Sequence, residues 1–256
     1  MNLKSKIFAL CLGVIFIYSG CKKAASTPAD PTLTPSAVAG QVALNIDQSL
    51  FGGLGVDLSG GLSAPTTFAI HTQGKVLQDL TNPDCSLIVD TTETFTGVAN
   101  GGSATIGGTF KFSFGCTNNI VSSFTTSDNL TIKITSPSLD LNYVVGENLT
   151  VASTNPTDAN ANLTINGSLT SSGSYTINTG NKGSGTEVFD YTLSSAVFSP
   201  SVGDVVSGSA SFNTSGTGPK GVWNYQGTIV FKGNHIAVVT INGTAYTVNL
   251  LTGAVS

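Results

Sequence analysis

The stretch at residues 222–250, "VWNYQGTIVFKGNHIAVVTINGTAYTVNL", decides the fold class. Its apolar and polar residues alternate with a period of two, which is typical of β-strands rather than helices. Two turn signals, Gly233-Asn234 and Asn242-Gly243, divide the stretch into three runs. We therefore predict an antiparallel three-stranded meander with two-residue hairpin turns.

The predicted turns also set a register for this meander. Phe231 is expected opposite Ile236, and Val239 opposite Tyr246. In that register both faces of the meander are apolar, so both need cover. The first face carries Trp223, Tyr225, Ile229, Phe231, Ile236 and Val238, and the second carries Val230, Ala237, Val239, Ile241, Tyr246, Val248 and Leu250.

Trp223, Tyr225 and Phe231 make one of these faces rich in aromatic side chains. One face of the meander is expected to meet the core. The other is covered by a helix or a second sheet, or else lines a ligand cleft. These three aromatic residues are therefore the candidate ligand face.

The same period of two extends upstream from residue 67, with turn residues between short runs. Further Asn-Gly pairs at 100–101 and 166–167 predict additional hairpins. The sequence thus predicts a mainly β protein: one large antiparallel meander, sandwich or half-barrel of about a dozen strands. The alternating runs are "TFKFSF", "NLTIKITS", "LDLNYVV", "NLTVAS", "NLTING", "SYTIN" and "EVFDYTL".

One short helix is predicted at residues 35–51, before the strands. Thr34 is a suitable N-cap, Pro35 suits the first helical position, and Gly52 is a suitable stop. A stripe of apolar residues recurs every four positions and predicts a helix packed on the domain. The stripe consists of Val38, Val42, Ile46 and Leu50.

The N-terminal residues 1–20 have the parts of a secretory signal: two early lysines, an apolar stretch and the small pair Ser19-Gly20. The next residue is Cys21, and "YSGC" resembles the lipobox of bacterial lipoproteins, although Tyr18 stands where Leu is usual. The resemblance implies that Cys21 becomes the lipidated first residue of the mature chain. An ordinary cleaved signal peptide with an incidental cysteine is the alternative.

Residues 21–34 are then expected to form a flexible tether, since they are rich in Pro, Ala, Ser and Thr. Two or three acyl chains, palmitate among them, anchor a protein stably, whereas one chain binds a membrane only marginally. The predicted organisation is a signal peptide at 1–20, a lipidated cysteine and tether at 21–34, and a single β-rich domain at 35–256.

This interpretation assigns a role to each of the four cysteines. Cys11 lies in the removed signal and Cys21 carries lipid, so Cys85 and Cys116 remain as a pair. In an exported chain such a pair indicates a disulfide, here closing a loop of about 30 residues. Strand parity predicts that both sulfurs point toward the core.

Composition excludes nucleic acid as a partner. The net charge is −4, only 9% of residues are charged, and all ten basic residues are lysines. Arginine supplies the bidentate contacts to phosphate and guanine, and nucleic-acid binding needs a basic surface. We expect no nucleic-acid function.

No motif predicts catalysis, a cofactor or a metal. "GTGPKG" at 216–221 matches GxGxxG as text, but a strand rather than a helix follows it, so we predict a turn. The two histidines, His71 and His235, are isolated from each other and from any CxxC pair, which argues against a zinc site. The carboxylates are scattered without regular calcium-loop spacing.

The layout as a whole resembles outer-membrane lipoproteins of the Bacteroidota, which combine a lipobox, a polar tether, a short helix and a β domain rich in Ser, Thr, Asn and Gly. The resemblance implies an outer-membrane location, on the periplasmic face or the cell surface. It also implies O-glycosylation of Thr91 in "DTT" at 90–92; an ordinary strand threonine is the alternative.

Three functions remain open from the sequence. The first is a lipid-anchored, non-catalytic cell-envelope protein that binds an envelope protein or a glycan, or serves structurally. The second is a carrier of a small apolar ligand in a curved-sheet cavity lined by the candidate ligand face. The third is a hydrolase with a dispersed site, which requires a histidine close to an acid or a serine.

Overall fold

A computed structural model of the chain describes residues 32–51, 71–72, 75–76, 85, 88–99, 101–158 and 160–256. The predicted signal peptide and Cys21 lie outside these residues. Within the described residues, helix α1 (Pro35–Phe51) precedes the strands. The strands are β1 (His71–Thr72), β2 (Lys75–Val76), β3 (Ile88–Ala99), β4 (Gly102–Thr117), β5 (Ile120–Thr135), β6 (Leu139–Ser153), β7 (Leu163–Ile177), β8 (Gly183–Ser199), β9 (Asp204–Gly218), β10 (Gly221–Gly233), β11 (Ile236–Ile241) and β12 (Thr244–Asn249).

Strands β3 to β12 form one open sheet in which each strand pairs with its neighbours in the chain. All of these pairings are antiparallel, so the sheet is a continuous meander. The short strands β1 and β2 pair only with each other among the described strands. The prediction of a mainly β fold with a large antiparallel meander and one short helix is confirmed.

The strands are longer than the sequence runs indicated. The runs "LDLNYVV" and "NLTVAS" are two parts of the single strand β6, which continues through Gly146. Asn166-Gly167 was expected to be a hairpin turn, and that prediction is wrong. It lies inside β7 at a β-bulge, where Gly167 has a φ of 129° and the Asn166 side chain accepts a hydrogen bond from Ser195 N–H. A bulge uses the same residue types as a turn, so the pattern alone does not separate them.

The C-terminal meander has the predicted strands but only part of the predicted register. Val239 lies opposite Tyr246, as expected. Phe231 lies opposite Ala237 rather than Ile236, because the β10–β11 turn is Asn234-His235 and the register shifts between Phe231 and Gly233. A shift of one residue moves every side chain of a strand to the opposite face.

That shift corrects the prediction of two apolar faces. Ile229 and Phe231 share one face with Ala237 and Val239, and all four side chains are buried. Val230 lies on the other face and is 37% exposed. The sheet therefore has one apolar inner face and one polar outer face, and only the inner face requires cover.

Helix α1 provides part of that cover by packing mainly against β11 and β12. Its predicted start is confirmed, since Ala37 N–H donates to the Thr34 hydroxyl over 3.3 Å. The predicted apolar stripe is buried, and two alanines between its members allow close approach to the sheet. The buried helix residues are Val38, Ala39, Val42, Ala43, Ile46 and Leu50.

Contacts at both ends of the described chain hold the helix in place. Leu33 N–H donates to the Val222 carbonyl at 2.9 Å, and the Tyr225 hydroxyl donates to the Leu33 carbonyl at 2.8 Å. At the other end, a Cβ on Gly40 would lie 2.5 Å from the Gly253 carbonyl oxygen. Only glycine permits this close approach of the helix to the C-terminal turn.

Glycines on the inner face lie beneath large aromatic side chains. Tyr143 is paired with Gly173, Tyr175 with Gly185, and Trp223 with Gly216 on adjacent strands. A Cβ on Gly216 would lie 2.3 Å from the Trp223 ring. These glycines therefore make room for aromatic rings that lie across the neighbouring strand.

The inner face carries two hydrophobic clusters. The main core joins the helix to residues from β5 through β12. The second core lies on β4 to β7 and consists of Ile106, Ile132, Ile134, Leu139, Leu141, Tyr143 and Tyr175.

Candidate functional site

The candidate ligand face lies within the main core. Trp223 is 4% exposed and Phe231 is 3% exposed, in the same cluster as the helix stripe. Trp223 Nε1–H donates to the Thr214 hydroxyl at 3.0 Å, and partly buried Tyr225 is held by its bond to Leu33. All three side chains thus have structural roles at these positions.

Cys85 and Cys116 are joined by a disulfide with a Cα–Cα distance of 5.4 Å. Both residues are half-buried, so the bridge lies at the margin of the core rather than inside it. Cys85 precedes the first residue of β3, and a register shift occurs between Gly115 and Cys116. The alternation of side chains along β3 and β4 therefore does not determine the direction of either sulfur.

Thr91, the candidate O-glycosylation site, lies on β3 and is half-buried. Its hydroxyl donates to Glu93 Oε1 over 3.1 Å. A glycan on this oxygen would replace that hydrogen bond.

A carboxylate and a histidine meet where the β8–β9 and β10–β11 turns approach each other. His235 Nδ1 lies 3.4 Å from Asp204 Oδ1, and His235 backbone N–H donates to Asp204 Oδ2 at 2.8 Å. Asp204 is only 2% exposed, whereas the His235 side chain is 35% exposed. His235 has a φ of 55°, so Asp204 holds a residue in the left-handed region that favours glycine.

Asp47 on helix α1 adds a second carboxyl group near this turn. Burial raises the pKa of Asp47 to about 6, His235 acts in the opposite direction, and Asp204 raises it further. His71, the other histidine, lies in β1 and pairs across the hairpin with Val76. The structure thus gives an acid–histidine contact at His235 and places it at a turn beside the helix.

A polar belt separates the two cores on the inner face, across strands β5 to β8. We define it as Thr126, Asp128, Glu147, Ser171 and Glu187. Asp128 lies directly opposite Glu147, and Gly173 lies between Tyr143 and Glu187. The absence of a side chain at Gly173 lets the Tyr143 hydroxyl reach across β7 and donate to Glu187.

Burial dominates the electrostatics of the polar belt. It raises the pKa of Glu147 to about 8, and nearby Asp128 adds to the rise. Burial also raises the pKa of Asp128 and of Glu187; the Lys111 backbone N–H and the Tyr143 hydroxyl, respectively, oppose those rises. The Thr126 hydroxyl, in a residue 1% exposed, has no hydrogen-bond partner among the described residues.

The outer face presents uncharged polar side chains in rows that cross several strands in register. One row runs through Asn148, Ser168, Thr192, Ser211, Thr228 and Thr240. Adjacent strands lie about 4.8 Å apart, so such a row is a regular array of donors and acceptors.

A shallow groove of about 460 Å³ interrupts this face at strands β9 to β11. Six uncharged polar residues line it, together with Phe212, Gly227 and Gly243. They are Ser211, Asn213, Gln226, Thr228, Thr240 and Asn242.

Sequence reasoning missed the polar belt and the groove, but part of the signal was present. Asp128 and Glu147 occupy the apolar phase of their strands, between Thr126 and Leu130 and between Val145 and Leu149. A carboxylate in the apolar phase is a detectable exception to the alternation. The groove has no such signal, because its residues come from three strands and the β11–β12 turn, and its polar residues stand where the pattern expects polarity.

Among the described residues, no group of three or more His, Cys, Asp or Glu side chains could hold a metal ion. Within the same part of the chain, no helix has the length and apolarity needed to cross a bilayer. No protein family, curated protein or solved structure matches the chain.

Proposed function

We propose that this chain is a lipid-anchored cell-envelope β protein that binds a partner on the outer face of its sheet and catalyses no reaction. The anchor is Cys21, exposed by cleavage after Gly20, with residues 21–34 as the tether. The location is the outer membrane, as the resemblance to Bacteroidota lipoproteins implies.

One observation carries the binding role: the two faces of the sheet have opposite character. The inner face is occupied by the two cores, while the outer face presents a row of uncharged polar side chains across strands β6 to β11. A row of this kind is suited to contacts made by many hydrogen bonds.

Two further features support export and attachment. The Cys85–Cys116 disulfide fits an oxidising compartment outside the cytoplasm. Thr32 bridges to Val222 in parallel orientation, so the predicted tether joins the domain beside the β9–β10 turn.

Intact-mass analysis of membrane-extracted protein tests the anchor, with Cys21→Ser as the matched control. We expect the wild-type protein to lack residues 1–20 and to carry acyl mass. The Cys21→Ser protein should carry none and should leave the membrane fraction. A wild-type protein without acyl mass in the soluble fraction would contradict the proposal.

A hydrolase is the second candidate, because the Asp204–His235 contact resembles the carboxylate–imidazole pair that orients a catalytic base. Ser199 lies opposite Asp204 in the β8–β9 register, and its hydroxyl is 3.0 Å from that of Ser201. The contact also has a purely structural explanation, since both Asp204 oxygens hold the strained His235 turn.

The substitution His235→Gly separates these two roles. If His235 is structural, glycine relieves the positive φ, keeps the backbone N–H for Asp204, and leaves the free energy of unfolding within about 1 kcal/mol of wild type. Neither protein should then hydrolyse p-nitrophenyl esters. Hydrolysis by the wild type that disappears in a folded His235→Gly protein would establish the hydrolase instead.

A further inference from the structure

The polar side chains of the outer-face groove at β9–β11 are available to a ligand. At some other positions on this face, hydroxyls on adjacent strands bond to each other instead, as in Ser113–Thr125 at 2.5 Å and Thr186–Thr217 at 3.1 Å. Among the described residues, no side-chain hydrogen bond engages any of the six polar residues that line the groove. Their donors and acceptors are therefore directed to solvent or to a ligand.

The groove brings amides and hydroxyls together in a defined grid. Asn213 lies directly opposite Gln226, and Ser211 lies opposite Thr228, which in turn lies opposite Thr240. Each primary amide offers two donors and an acceptor, and each hydroxyl offers one donor and accepts as well. Vicinal hydroxyl groups of a sugar also both donate and accept hydrogen bonds. The donors and acceptors of the groove therefore match those of a sugar.

Charge narrows the chemistry of the ligand further. None of the lining residues is ionisable, and the cross-strand neighbour of Asn213 on β8 is Asp190, an acid. A bordering carboxylate accepts hydrogen bonds from hydroxyl groups and repels sulfate, phosphate and uronate groups. An anionic ligand is therefore disfavoured at this groove.

The size and the surface character of the groove argue against a protein partner. Its volume of about 460 Å³ falls within the roughly 300–1,000 Å³ of small-ligand sites. Protein interfaces are anchored by aromatic or aliphatic side chains, whereas most of the groove wall consists of exposed Ser, Thr, Asn and Gln.

We propose that this groove binds an uncharged oligosaccharide, with Asn213 and Gln226 as the principal hydrogen-bonding residues. The inference rests on the proposed function, because it names the class of partner for the outer face. It requires no catalytic step, and the neighbouring rows of hydroxyls extend the contact along a longer glycan.

Binding to an array of neutral, sulfated and uronic-acid oligosaccharides tests the proposal, followed by calorimetric titration of the best neutral hit. The double variant Asn213→Ala/Gln226→Ala should lose about tenfold or more in affinity, as expected when two neutral hydrogen bonds are removed. The matched control is Asn129→Ala/Asn142→Ala, which removes two exposed amides from β5 and β6, on the same face but three or more strands from the groove. The control should bind as the wild type does.

Thermal unfolding must show that both double variants remain folded. Three results would overturn the proposal: absence of binding to any neutral glycan, preference for sulfated or uronic-acid glycans, or equal loss in the groove and control variants. None of these results bears on acylation of Cys21. A failed glycan assay beside a confirmed acyl mass therefore removes the groove assignment alone, while a missing acyl mass removes the anchor alone.

Discussion

The two halves of the inner face bury polar groups in different ways. Under helix α1, the buried hydroxyl of Tyr191 donates to the Val42 carbonyl at 3.1 Å, and the carboxylate of Asp204 is held by His235. In the polar belt, Glu147 is 9% exposed and faces another acid, Asp128. The two halves thus bury carboxyl groups in different surroundings, one beside a histidine and the other beside a second acid.

The two halves also differ in how completely their side chains are buried, and therefore in how well each half can adjust to a substitution. Residues of the main core that touch the helix are almost completely buried, whereas members of the second core are 2% to 9% exposed. When a buried side chain is shortened, a tightly covered site cannot relax around the cavity that is left. A less tightly covered site relaxes and recovers part of the lost stability. Three matched pairs of substitutions and the removal of the disulfide test this contrast.

The largest expected effect comes from shortening a core isoleucine in each half. Ile229→Ala, at a residue 0% exposed, should lower the free energy of unfolding by about 4 kcal/mol. Ile134→Ala, at a residue 9% exposed in the second core, should lower it by about 2 kcal/mol. Urea unfolding measures both, and equal losses would show that the two cores are packed equally well.

The disulfide comes next. Replacing both Cys85 and Cys116 with serine should lower the free energy of unfolding by about 3 kcal/mol, because the closed loop of 31 residues no longer restricts the unfolded chain. Fluorescence of the single tryptophan, Trp223, should stay native-like at 25 °C because the main core does not include the bridge. A loss below about 1 kcal/mol would mean that the bridge contributes little to stability.

Two glycine substitutions contrast a filled inner face with an open one. Gly216→Ala should destabilise by about 1–3 kcal/mol, since its Cβ would overlap the Trp223 ring. Gly97→Ala on β3 has no atom within 4 Å of the added Cβ, so its effect should lie within about 0.5 kcal/mol of zero. Thermal unfolding compares the two, and a large loss at Gly97 would show that the edge strand is covered there.

The buried carboxyl group of Glu147 gives the free energy of unfolding a dependence on pH. Its pKa is about 8 in the folded protein against an ordinary value of 4.5, so the unfolded chain releases the proton first as pH rises. Stability should therefore fall between about pH 4.5 and pH 8, by up to about 1.4 kcal/mol per pH unit for one proton. Below about pH 4.5 both states hold the proton, and this penalty is absent.

Glu147→Gln should remove that part of the slope, and urea unfolding at several pH values measures it. Glu93→Gln, at a half-buried residue on β3, is the matched control and should keep the wild-type slope. An unchanged slope in Glu147→Gln would mean that Glu147 is ionised in the folded protein at neutral pH. The contrast with the satisfied Asp204 would then disappear.

Much of the fold could be predicted from local pattern, and particular residues show where that stops. The helix limits, the Asn242-Gly243 hairpin and the Cys85–Cys116 pairing were all predictable from spacing and residue type. The extra residue near Gly233 was not, because a bulge leaves the alternation intact and only shifts its phase. One shifted residue turned two predicted apolar faces into one.

The candidate site was predicted less well than the fold. The aromatic residues Trp223, Tyr225 and Phe231 had the composition of a ligand face, yet they pack in the same core as the helix, and Tyr225 is bonded to Leu33. The groove residues are ordinary strand-surface residues until β9, β10 and β11 place them side by side. The alternation of residues along a strand indicates which of its side chains are buried. It does not indicate which residues lie opposite them on the neighbouring strand.

The sequence by itself determined the alternation, the capped helix, the paired cysteines and the neutral composition, because each depends on residues close together in the chain or on simple counts. The tertiary structure alone decided which face is the core, that Asp204 meets His235, that Asp128 meets Glu147, and that Asn213 meets Gln226. Those contacts depend on register and bulges across long hairpins, where a single inserted residue changes every partner that follows.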